Sequence, residues 1–386
     1  MDPTRADSGH AVAVTSNQAL TTLFPQGGYY RNAAGTCPDP LSIYCATKGV
    51  FSRPTAFGTA QKIFLPAYDE WSFAIENQIM RNTVLAVQYV GNRSYHQPVS
   101  NLANAYNAAG TNASLPGARP NASLGSTTYF YSGSWSNFNG LQATLTSRLN
   151  WLTMQFNYTY GHALDTTSNG GFNAFGLNSN GQINPYNLAQ NYGNADYDVR
   201  QYVSANYAIR VPYFGGPHVL TDGWQIAGTV FHNTGYPFSV VDGTGNNIYG
   251  NNSLAMQLDN NFSHHCGGSQ HVTTPCSFAS HFASSTDFGQ QRRNQIYGPN
   301  YTDFDMDFSK SFRVVPKWES AKLRVAAQFY NTFNHPNFQI PYADVTFGAS
   351  NGLINSAAST PTSILGAFLG GDASPRLIQL KGSFVF

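Results

Sequence analysis

Apolar and polar residues alternate with a period of two in many short segments of this chain, whereas helical periodicity is scarce. In one segment Leu141, Ala143 and Leu145 alternate with glutamine and threonine. This period places successive side chains on opposite faces of a strand, so it predicts strands whose faces meet different environments. We predict nine strands, over residues 71–79, 83–90, 141–146, 152–160, 203–211, 224–230, 304–312, 323–331 and 378–386.

The connections between these segments alternate in length. Short connections lie near residues 80–82, 148–151, 212–223 and 313–322, and long ones span 91–140, 161–198, 231–303 and 332–377. Transmembrane β-barrels have short periplasmic turns at one end and long extracellular loops at the other. The pattern therefore predicts an all-β fold, an antiparallel transmembrane β-barrel segment of about nine or ten strands that forms an incomplete barrel. A soluble β-sandwich is the alternative, although its wet faces usually carry lysine and glutamate.

Aromatic residues at the strand ends favour the membrane interpretation. Interfacial girdles of tyrosine and tryptophan flank the apolar band of such barrels. Ordinary core packing is the alternative for each of them. The residues that we place in girdles are Trp71, Trp151, Tyr160, Trp224 and Tyr330.

The composition agrees with strands that meet lipid on one face. Only 10% of the 386 residues are charged, against roughly 25% in ordinary soluble domains. The formal net charge of +1 argues against nucleic-acid binding, which usually needs a strongly basic surface. Aromatic residues make up 14% of the chain, so disorder is not expected. No apolar run approaches the roughly 20 residues that a membrane-spanning helix needs.

Counting strand directions assigns the ends of the chain. If the short turns are periplasmic, residues 1–69 form an extracellular, loop-like N-terminal segment, and residues 70–386 form the C-terminal portion of a barrel. Single-chain bacterial barrels have an even number of strands, and the first residues show no secretory signal peptide. We therefore expect a piece of a larger protein.

Seven stretches resemble, in order, the C-terminal barrel of Oar-like TonB-dependent outer-membrane receptors of the carboxypeptidase-regulatory-like-domain type. The resemblance covers about residues 60–386. The stretches are EWSFAIENQIMRNTVLAVQYVGNRSYHQP (70–98), SNFNGLQATLTSRLNWLTMQFNYTYGHALD (136–165), YGNADYDVRQYVSANYAIRVP (192–212), GWQIAGTVFHNTGYPFSV (223–240), YGPNYTDFDMDFSKSFRV (297–314), LRVAAQFYNTFNHPNFQIP (323–341) and RLIQLKGSFVF (376–386).

The resemblance implies an outer-membrane receptor or transporter component in a Gram-negative bacterium, with barrel wall and loops that capture a ligand. It implies no cofactor and no enzymatic activity. The expected partners are outer-membrane lipid, the outer-membrane assembly machinery and an unknown glycan, siderophore or peptide, while TonB would act only through a plug domain that we do not find. Where the family often has an ion pair this chain has Ala326 and Gln328, so we expect that pair to be lost.

The last strand resembles the signal that the assembly machinery reads. Its apolar residues alternate up to a terminal aromatic residue, although Gly382 departs from the family pattern. A lipid-facing edge strand would show the same alternation. The residues assigned to the signal are Ile378, Leu380, Phe384 and Phe386.

Four cysteines pair by their spacing as Cys37 with Cys45 and Cys266 with Cys276. Both pairs lie in segments assigned to the outside, where an oxidising compartment allows disulfides. Metal binding is the alternative for the second pair, because His264, His265 and His271 lie in the same loop.

Polar residues on one face of the late strands are candidates for the lumen. They could attract a cation or a polyhydroxylated ligand, or line a water-filled interior. The lumen-facing candidates are Asp303, Asp305, Asp307, Arg324 and Gln328. The other charged residues that we expect to line the interior are Glu76, Arg148, Arg200, Arg210 and Lys310.

Loop residues with aromatic or amide side chains suit recognition of sugars or siderophores, namely Tyr186, Asn187, Tyr192, Tyr249 and Asn251. A Ser–His pair from Ser134, Ser136 and His162 is a minor hydrolase hypothesis, since no nucleophile-elbow motif is present. Two further alternatives stay open. One is a stand-alone small porin, which an additional strand within residues 1–60 would favour, and the other is a secreted or surface β-protein that binds glycans or a partner.

Overall fold

Nine long strands form one antiparallel sheet, which we call the wall. The structure, a computed structural model, describes residues 56–106, 115–122, 124–125, 127–168, 184–244, 253–267, 273–285, 290–313, 321–354 and 375–385. The wall strands are β2 (Ala67–Met80), β3 (Thr83–Leu102), β4 (Thr127–Arg148), β5 (Leu152–Asp165), β7 (Gln201–Arg210), β8 (Trp224–Asn233), β15 (Tyr301–Arg313), β16 (Lys322–Tyr330) and β17 (Leu377–Val385). All nine predicted strands are confirmed.

Each wall strand pairs with the next one along the chain, from β2 at one edge to β17 at the other. This neighbour order follows from the hairpin connections, which need only short turns at one end of the sheet. The sheet is not closed, because within the described residues β2 and β17 do not pair with each other. No helix in the described part of the chain is long and apolar enough to cross a membrane.

The hydrogen-bond register places apolar residues opposite apolar residues across the whole wall. Val87 lies opposite Ala143, and Phe308 lies opposite Ile226. Cross-strand partners share a face, so the wall has one continuous apolar face. Glutamine, asparagine, threonine and serine occupy most of the other face, which we call the polar face.

Two wall strands are much longer than the sequence pattern predicts. β3 has 20 residues and β4 has 22, whereas about 9–11 residues cross a bilayer as a strand. Much of the predicted loop 91–140 is therefore strand. The strict alternation ends near Gly91, beyond which aromatic and polar residues mix on both faces. The register shifts between Ser94 and Gln97 beside a positive φ at His96.

One turn folds against the apolar face. Between β7 and β8 a short helix, α1 (His218–Thr221), precedes Trp224, whose Nε1 donates to the carbonyl of Leu220 at 2.8 Å. Lys310 lies opposite Trp224, so the expectation that Lys310 lines the interior is wrong. Its Nζ lies 4.7 Å from the centre of the Trp224 ring and donates to the carbonyls of Leu220 and Asp222. The lysine thus lays its aliphatic stem along the apolar face and places its charge at the polar turn.

The girdle assignments separate into two groups. Trp71, Tyr160 and Trp224 share the apolar face by register, and Trp151 is exposed in the β4–β5 turn. Tyr330 lies two residues from Gln328 and shares the polar face with it. Its assignment to a girdle on the lipid side is therefore wrong.

The long connections form a second layer at one end of the wall, which we call the loop end; the other end is the turn end. Short strands there are β1 (Ala56–Thr59), β6 (Gly193–Asn194), β9 (Pro237–Phe238), β10 (Val241–Asp242), β11 (Ser253–Leu254), β12 (Met256–Gln257), β13 (Phe282–Ala283) and β14 (Ile296–Tyr297). Among the described residues, 3₁₀-helices span Leu188–Asn191, Ser277–His281 and Val345–Ser350.

The connections after β8 and β16 share a hydrophobic core, and we call their described residues, 234–300 and 331–354 with the gaps given above, the cap. Phe238, Phe278 and Ile296 are almost fully buried there. The strand pairs β9–β14, β10–β11 and β12–β13 frame this core. Other members of the core are Val240, Ala255, Cys266, Cys276, Phe282, Ala343 and Ile354.

Candidate functional site

The polar face of the wall encloses a cavity of about 570 Å³, which we call the inner-face cavity. β4, β5, β7, β8, β15 and β16 each contribute to it, because their polar residues share one face. The lining combines hydroxyl, amide and charged groups with exposed apolar surface. The polar side chains that line it include Thr146, Arg148, Gln155, Asn206, Thr229, Asp305, Asp307 and Gln328.

Asp307 is the centre of a hydrogen-bonded group on the polar face. Arg324 donates from Nη2 to Asp307 Oδ1 at 3.0 Å and to Ser309 Oγ at 2.9 Å, and Gln328 Nε2 donates to Asp307 Oδ2 at 3.0 Å. The backbone N–H of Asn331 donates to Asp305 at 3.0 Å. Arg324 and Asp307 therefore form an ion pair on this face.

The five lumen-facing candidates thus occupy two adjacent strands. Asp303 shares the face of Asp305 and Asp307 by register on β15. Arg324 and Gln328 lie on β16 opposite Ser311 and Asp307. The structure brings Asp307, Arg324 and Gln328 into direct contact, while Asp305 and Asp303 lie farther toward the loop end.

At the loop end, Arg293 fixes the cap to the end of β5. Its Nε donates to the carbonyl of Asn191 at 3.0 Å, and its Nη2 donates to the carbonyl of Asp165 at 2.8 Å. The guanidinium also forms ion pairs with the carboxylates of Asp165 and Asp196 and contacts Ser168 Oγ. We call Arg293, Asp165 and Asp196 the latch.

The latch is buried, with side-chain exposures of 6%, 3% and 2% for Arg293, Asp165 and Asp196. Burial lowers the pKa of Arg293 to about 9, which leaves it charged at neutral pH. Two carboxylates and two carbonyl groups surround this cation, so its hydrogen-bonding capacity is largely satisfied. Sequence reasoning missed Arg293, and the adjacent pair Arg292 and Arg293 in a chain poor in charge was the available signal.

A second cavity, of about 770 Å³, lies between the loop end of the wall and the cap. We call it the rim cavity. Three arginines, two tyrosines, one histidine and four amide side chains line it, and none of the described residues in the lining has a carboxylate. The lining residues are Leu164, Tyr192, Gly193, Asn194, Arg200, Asn260, His264, Gln290, Arg292, Arg293, Gln295 and Tyr297.

Asp198 lies behind this lining and holds two of its residues. Its Oδ1 accepts from the backbone N–H of Ala163 at 2.8 Å, its Oδ2 accepts from the hydroxyl of Tyr297 at 3.2 Å, and Arg200 Nε lies 3.6 Å from Oδ2. Burial raises the pKa of Asp198, and the bond from Ala163 acts in the opposite direction. Burial also raises the pKa of Tyr297 to about 12, so its hydroxyl remains a donor.

The cysteines of the cap form a disulfide between Cys266 and Cys276. Its sulfurs are therefore not thiolates, which argues against the metal alternative. His264 contacts the carbonyl of Gln295, and His265 stacks on Tyr297. Among the described residues no group of three or more histidine, cysteine or carboxylate side chains is arranged to hold a metal ion. Cys37, Cys45 and His271 lie outside the described residues.

The candidate nucleophiles are not paired with a histidine. Ser134 Oγ contacts Thr166 Oγ1 at 2.9 Å, and Ser136 Oγ contacts Ser94 Oγ at 2.6 Å. His162 Nε2 instead contacts Asn194 Oδ1 at 2.9 Å. The hypothesis of a Ser–His pair among these residues is therefore wrong.

The loop residues proposed for ligand recognition divide between two places. Tyr192 lines the rim cavity, and its hydroxyl donates to Asn137. Tyr186 donates instead to the carbonyls of Ala103 and Ala105, and Asn187 begins a 3₁₀-helix. Tyr249 and Asn251 lie outside the described residues.

The proposed assembly signal lies on the free edge of the wall. Ile378, Leu380 and Phe384 are exposed on the apolar face of β17, with Gly382 between them. The side chain of Phe386 lies outside the described residues.

Comparison with known proteins identifies the class of this molecule. The sequence model of the family described as "Outer membrane beta barrel domain" matches residues 5–379. Among solved structures, the outer membrane transporter YddB from Escherichia coli is similar, with a TM-score of 0.42 and 11% identity over 86% of this chain and 34% of that chain. This chain spans about a third of the length of that transporter. Among curated proteins, no sequence matches it.

Proposed function

The chain belongs to the outer membrane beta barrel domain family and resides in the outer membrane, and on this premise we propose that it is part of a larger TonB-dependent receptor of the Oar-like type. The wall supplies the lipid-facing surface and about half of the lumen. The cap and the rim cavity capture a scarce nutrient at the loop end, which is extracellular in barrels of this class. The chain performs no covalent chemistry in this role.

The open sheet is the observation that carries this proposal. β2 and β17 are its two edges, and each has a strand partner on one side only among the described residues. In lipid an unsatisfied backbone N–H or C=O costs several kcal/mol, so further strands must pair with these edges. Large outer-membrane transporters have 22 strands around a plugged lumen, and in this proposal the missing strands and the plug domain belong to the rest of the receptor.

In the proposed mechanism the loop end captures the ligand and the polar face of the wall lines its path. A ligand binds at the loop end and at the plug, and TonB, which engages the plug, opens a path along the polar face. The amides and hydroxyls of this face keep the path wet. The assembly machinery recognises the last strand through Ile378, Leu380, Phe384 and Phe386.

The other functions are less well supported. A stand-alone porin needs another wall strand. Among the described residues before β2, β1 does not supply one, because it is four residues long and pairs in parallel with β4 instead of with the edge of β2. The alternative of such a strand within residues 1–55 falls outside the described residues. A secreted β-sandwich does not agree with membership of an outer-membrane barrel family.

The size of the native polypeptide tests the proposal. We expect an antiserum against this chain to detect, in outer membranes of the source bacterium, a heat-modifiable band far above the 42.0 kDa of the 386 residues. A strain without the gene segment is the control. A band near 42.0 kDa, with ohmic conductance of the purified chain in planar bilayers, would instead establish a small porin. Depletion of TonB should abolish uptake of the nutrient by the larger protein.

A further inference from the structure

We propose that the rim cavity binds a small solute with an oxyanion group, a carboxylate or a phosphate, which Arg292 and Arg200 hold. This inference rests on the proposed function and deepens it, because it names the chemical class of the captured ligand. The volume of about 770 Å³ lies in the range of roughly 300–1,000 Å³ that is typical of small-molecule sites.

The lining of the rim cavity carries arginine side chains. Arg292 is exposed, and no carboxylate among the described residues forms an ion pair with it. The side chain of Arg200 is 33% exposed, forms a loose ion pair with Asp198 at 3.6 Å and also contacts the hydroxyl of Tyr297. Arg293 also belongs to the lining, but the latch occupies its guanidinium. Arg292 and Arg200 are therefore the cations that a ligand can reach.

The carboxylates beside Arg293 and Arg200 lie behind the lining, whereas Asp259, next to the lining residue Asn260, is exposed and paired with His281. Asp165, Asp196 and Asp198 have side-chain exposures of 3%, 2% and 1%. They neutralise the buried arginine and orient its neighbours, but they do not contact the cavity. A solute in the cavity therefore meets guanidinium groups and amides, and an oxyanion can accept from both. Guanidinium groups suit this role because their planar fork of donors matches carboxylate and phosphate oxygens.

The remaining lining is held in place before a ligand arrives. The hydroxyls of Tyr192 and Tyr297 are bonded to Asn137 and Asp198, so their rings are fixed as apolar walls. Asn194 is held by the carbonyl of Asn294. A preorganised lining loses little conformational freedom on binding. Amide groups beside the tyrosines can pair with hydroxyl groups of the solute.

Titration calorimetry on the protein purified from outer membranes into detergent micelles tests this inference, with citrate, glucose 6-phosphate and uncharged glucose as probes. We expect saturable binding at one site for citrate, glucose 6-phosphate or both, and none for glucose. The two anions distinguish a carboxylate site from a phosphate site. Arg292→Gln should weaken binding at least tenfold, and Arg200→Gln should also weaken it. Arg81→Gln is the matched control, because Arg81 is exposed in the turn at the opposite end of the wall, and binding should change less than twofold.

The inference is overturned if neither anion binds better than glucose, or if Arg292→Gln and Arg81→Gln bind equally well. Heat-modifiable gel mobility shows that each variant is folded. The titration does not depend on TonB. If the protein is large and TonB-dependent but binds no anion, only the proposed ligand class is wrong. If it is a 42.0 kDa porin that binds citrate through Arg292, only the proposed receptor function is wrong.

Discussion

The cap and the wall bury their apolar residues against different materials. In the cap, Phe238 and Phe278 are 1% and 0% exposed within the protein. In the wall, Phe73 and Leu141 are 67% and 46% exposed and lie on the apolar face. The cap therefore has a protein core like that of a water-soluble domain, whereas the wall needs lipid to cover its apolar face.

One chain is therefore adapted to two solvents, water around the cap and lipid around the wall. Charge is rare on the apolar face of the wall, because lipid penalises it there. In the cap, a buried charge is either ion-paired, as Arg293 is in the latch, or hydrogen-bonded, as Asp242 is to Thr244 and Ser284. The latch joins the two regions, so breaking it should release the cap without unfolding the wall.

The largest effect is expected from the latch. Arg293→Gln leaves Asp165 and Asp196 buried without their cation, and breaking a buried ion pair in this way costs about 3–5 kcal/mol. Hydrogen exchange of residues 234–300 should accelerate, while exchange in β3 and β4 stays slow. Arg292→Gln, at the exposed neighbour, should leave the free energy of local opening, as measured by hydrogen exchange, within about 0.5 kcal/mol of the wild type. Equal acceleration in both variants would show that the latch does not hold the cap.

The core of the cap is the next test. Phe278→Ala removes a fully buried ring, and such a truncation costs about 3–5 kcal/mol. Limited proteolysis should then cleave the cap at a lower denaturant concentration. Phe347, which is 56% exposed at the cap surface, provides the control, since Phe347→Ala removes little buried area. If both variants resist protease alike, the cap has no core of the kind described.

Adjacent residues of β4 test the two faces of the wall. Ala143→Arg places a cation on the apolar face, which costs about 2–4 kcal/mol near the bilayer midplane. Thr144→Arg places the same charge on the polar face, where water solvates it. The folded fraction in outer membranes, measured by heat-modifiable mobility, should fall for the first variant only. An equal loss for both would contradict the assignment of the faces.

The disulfide should stabilise the cap alone. Its cysteines are 10 residues apart, and closing a loop of that length contributes about 2–3 kcal/mol. We expect the double variant Cys266→Ser, Cys276→Ser to speed hydrogen exchange in the cap and to leave the wall unchanged. Reduction of the wild type should have the same effect. Faster exchange in the wall strands would mean that the two regions are not independent.

The smallest effect concerns the pH dependence at the rim. Burial raises the pKa of Asp198 above the ordinary 3.8, so the folded state retains a proton that the unfolded chain has released. The stability from this group is fully present below pH 3.8 and is lost as pH rises through the raised pKa. Asp198→Asn should remove this decline in the stability of the residues around the rim cavity, measured by hydrogen exchange as a function of pH. A decline that persists in the variant would assign it to another group.

The wall was predictable from the sequence, because successive side chains of a strand point to opposite faces and the two solvents therefore select alternating apolar and polar residues. The position of Lys310 was also predictable, because residues 308, 310 and 312 lie on the same face of a strand and Phe308 and Phe312 are apolar. The prediction that Lys310 lines the interior ignored that alternation. The parts of β3 and β4 nearest the loop end were not predictable, because aromatic and polar residues mix on both faces there and the alternation disappears.

The cap and the latch were not predictable from local pattern. Arg293 lies 128 and 97 residues from Asp165 and Asp196 along the chain, and no short-range signal joins them. Phe278 and Ile296 lie in stretches without a helical or strand period. The spacing of Cys266 and Cys276 was the one local feature that indicated folded structure in this loop.

The central claim is that the wall has one face in lipid and the other in water. A nitroxide can be placed in turn at residues 141–146, with the native cysteines replaced by serine and the protein in lipid bilayers. Collision with oxygen should then peak at Leu141, Ala143 and Leu145. Collision with a water-soluble nickel chelate should peak at the three residues between them. Profiles without this alternation, or with the two reagents in phase, would contradict the account.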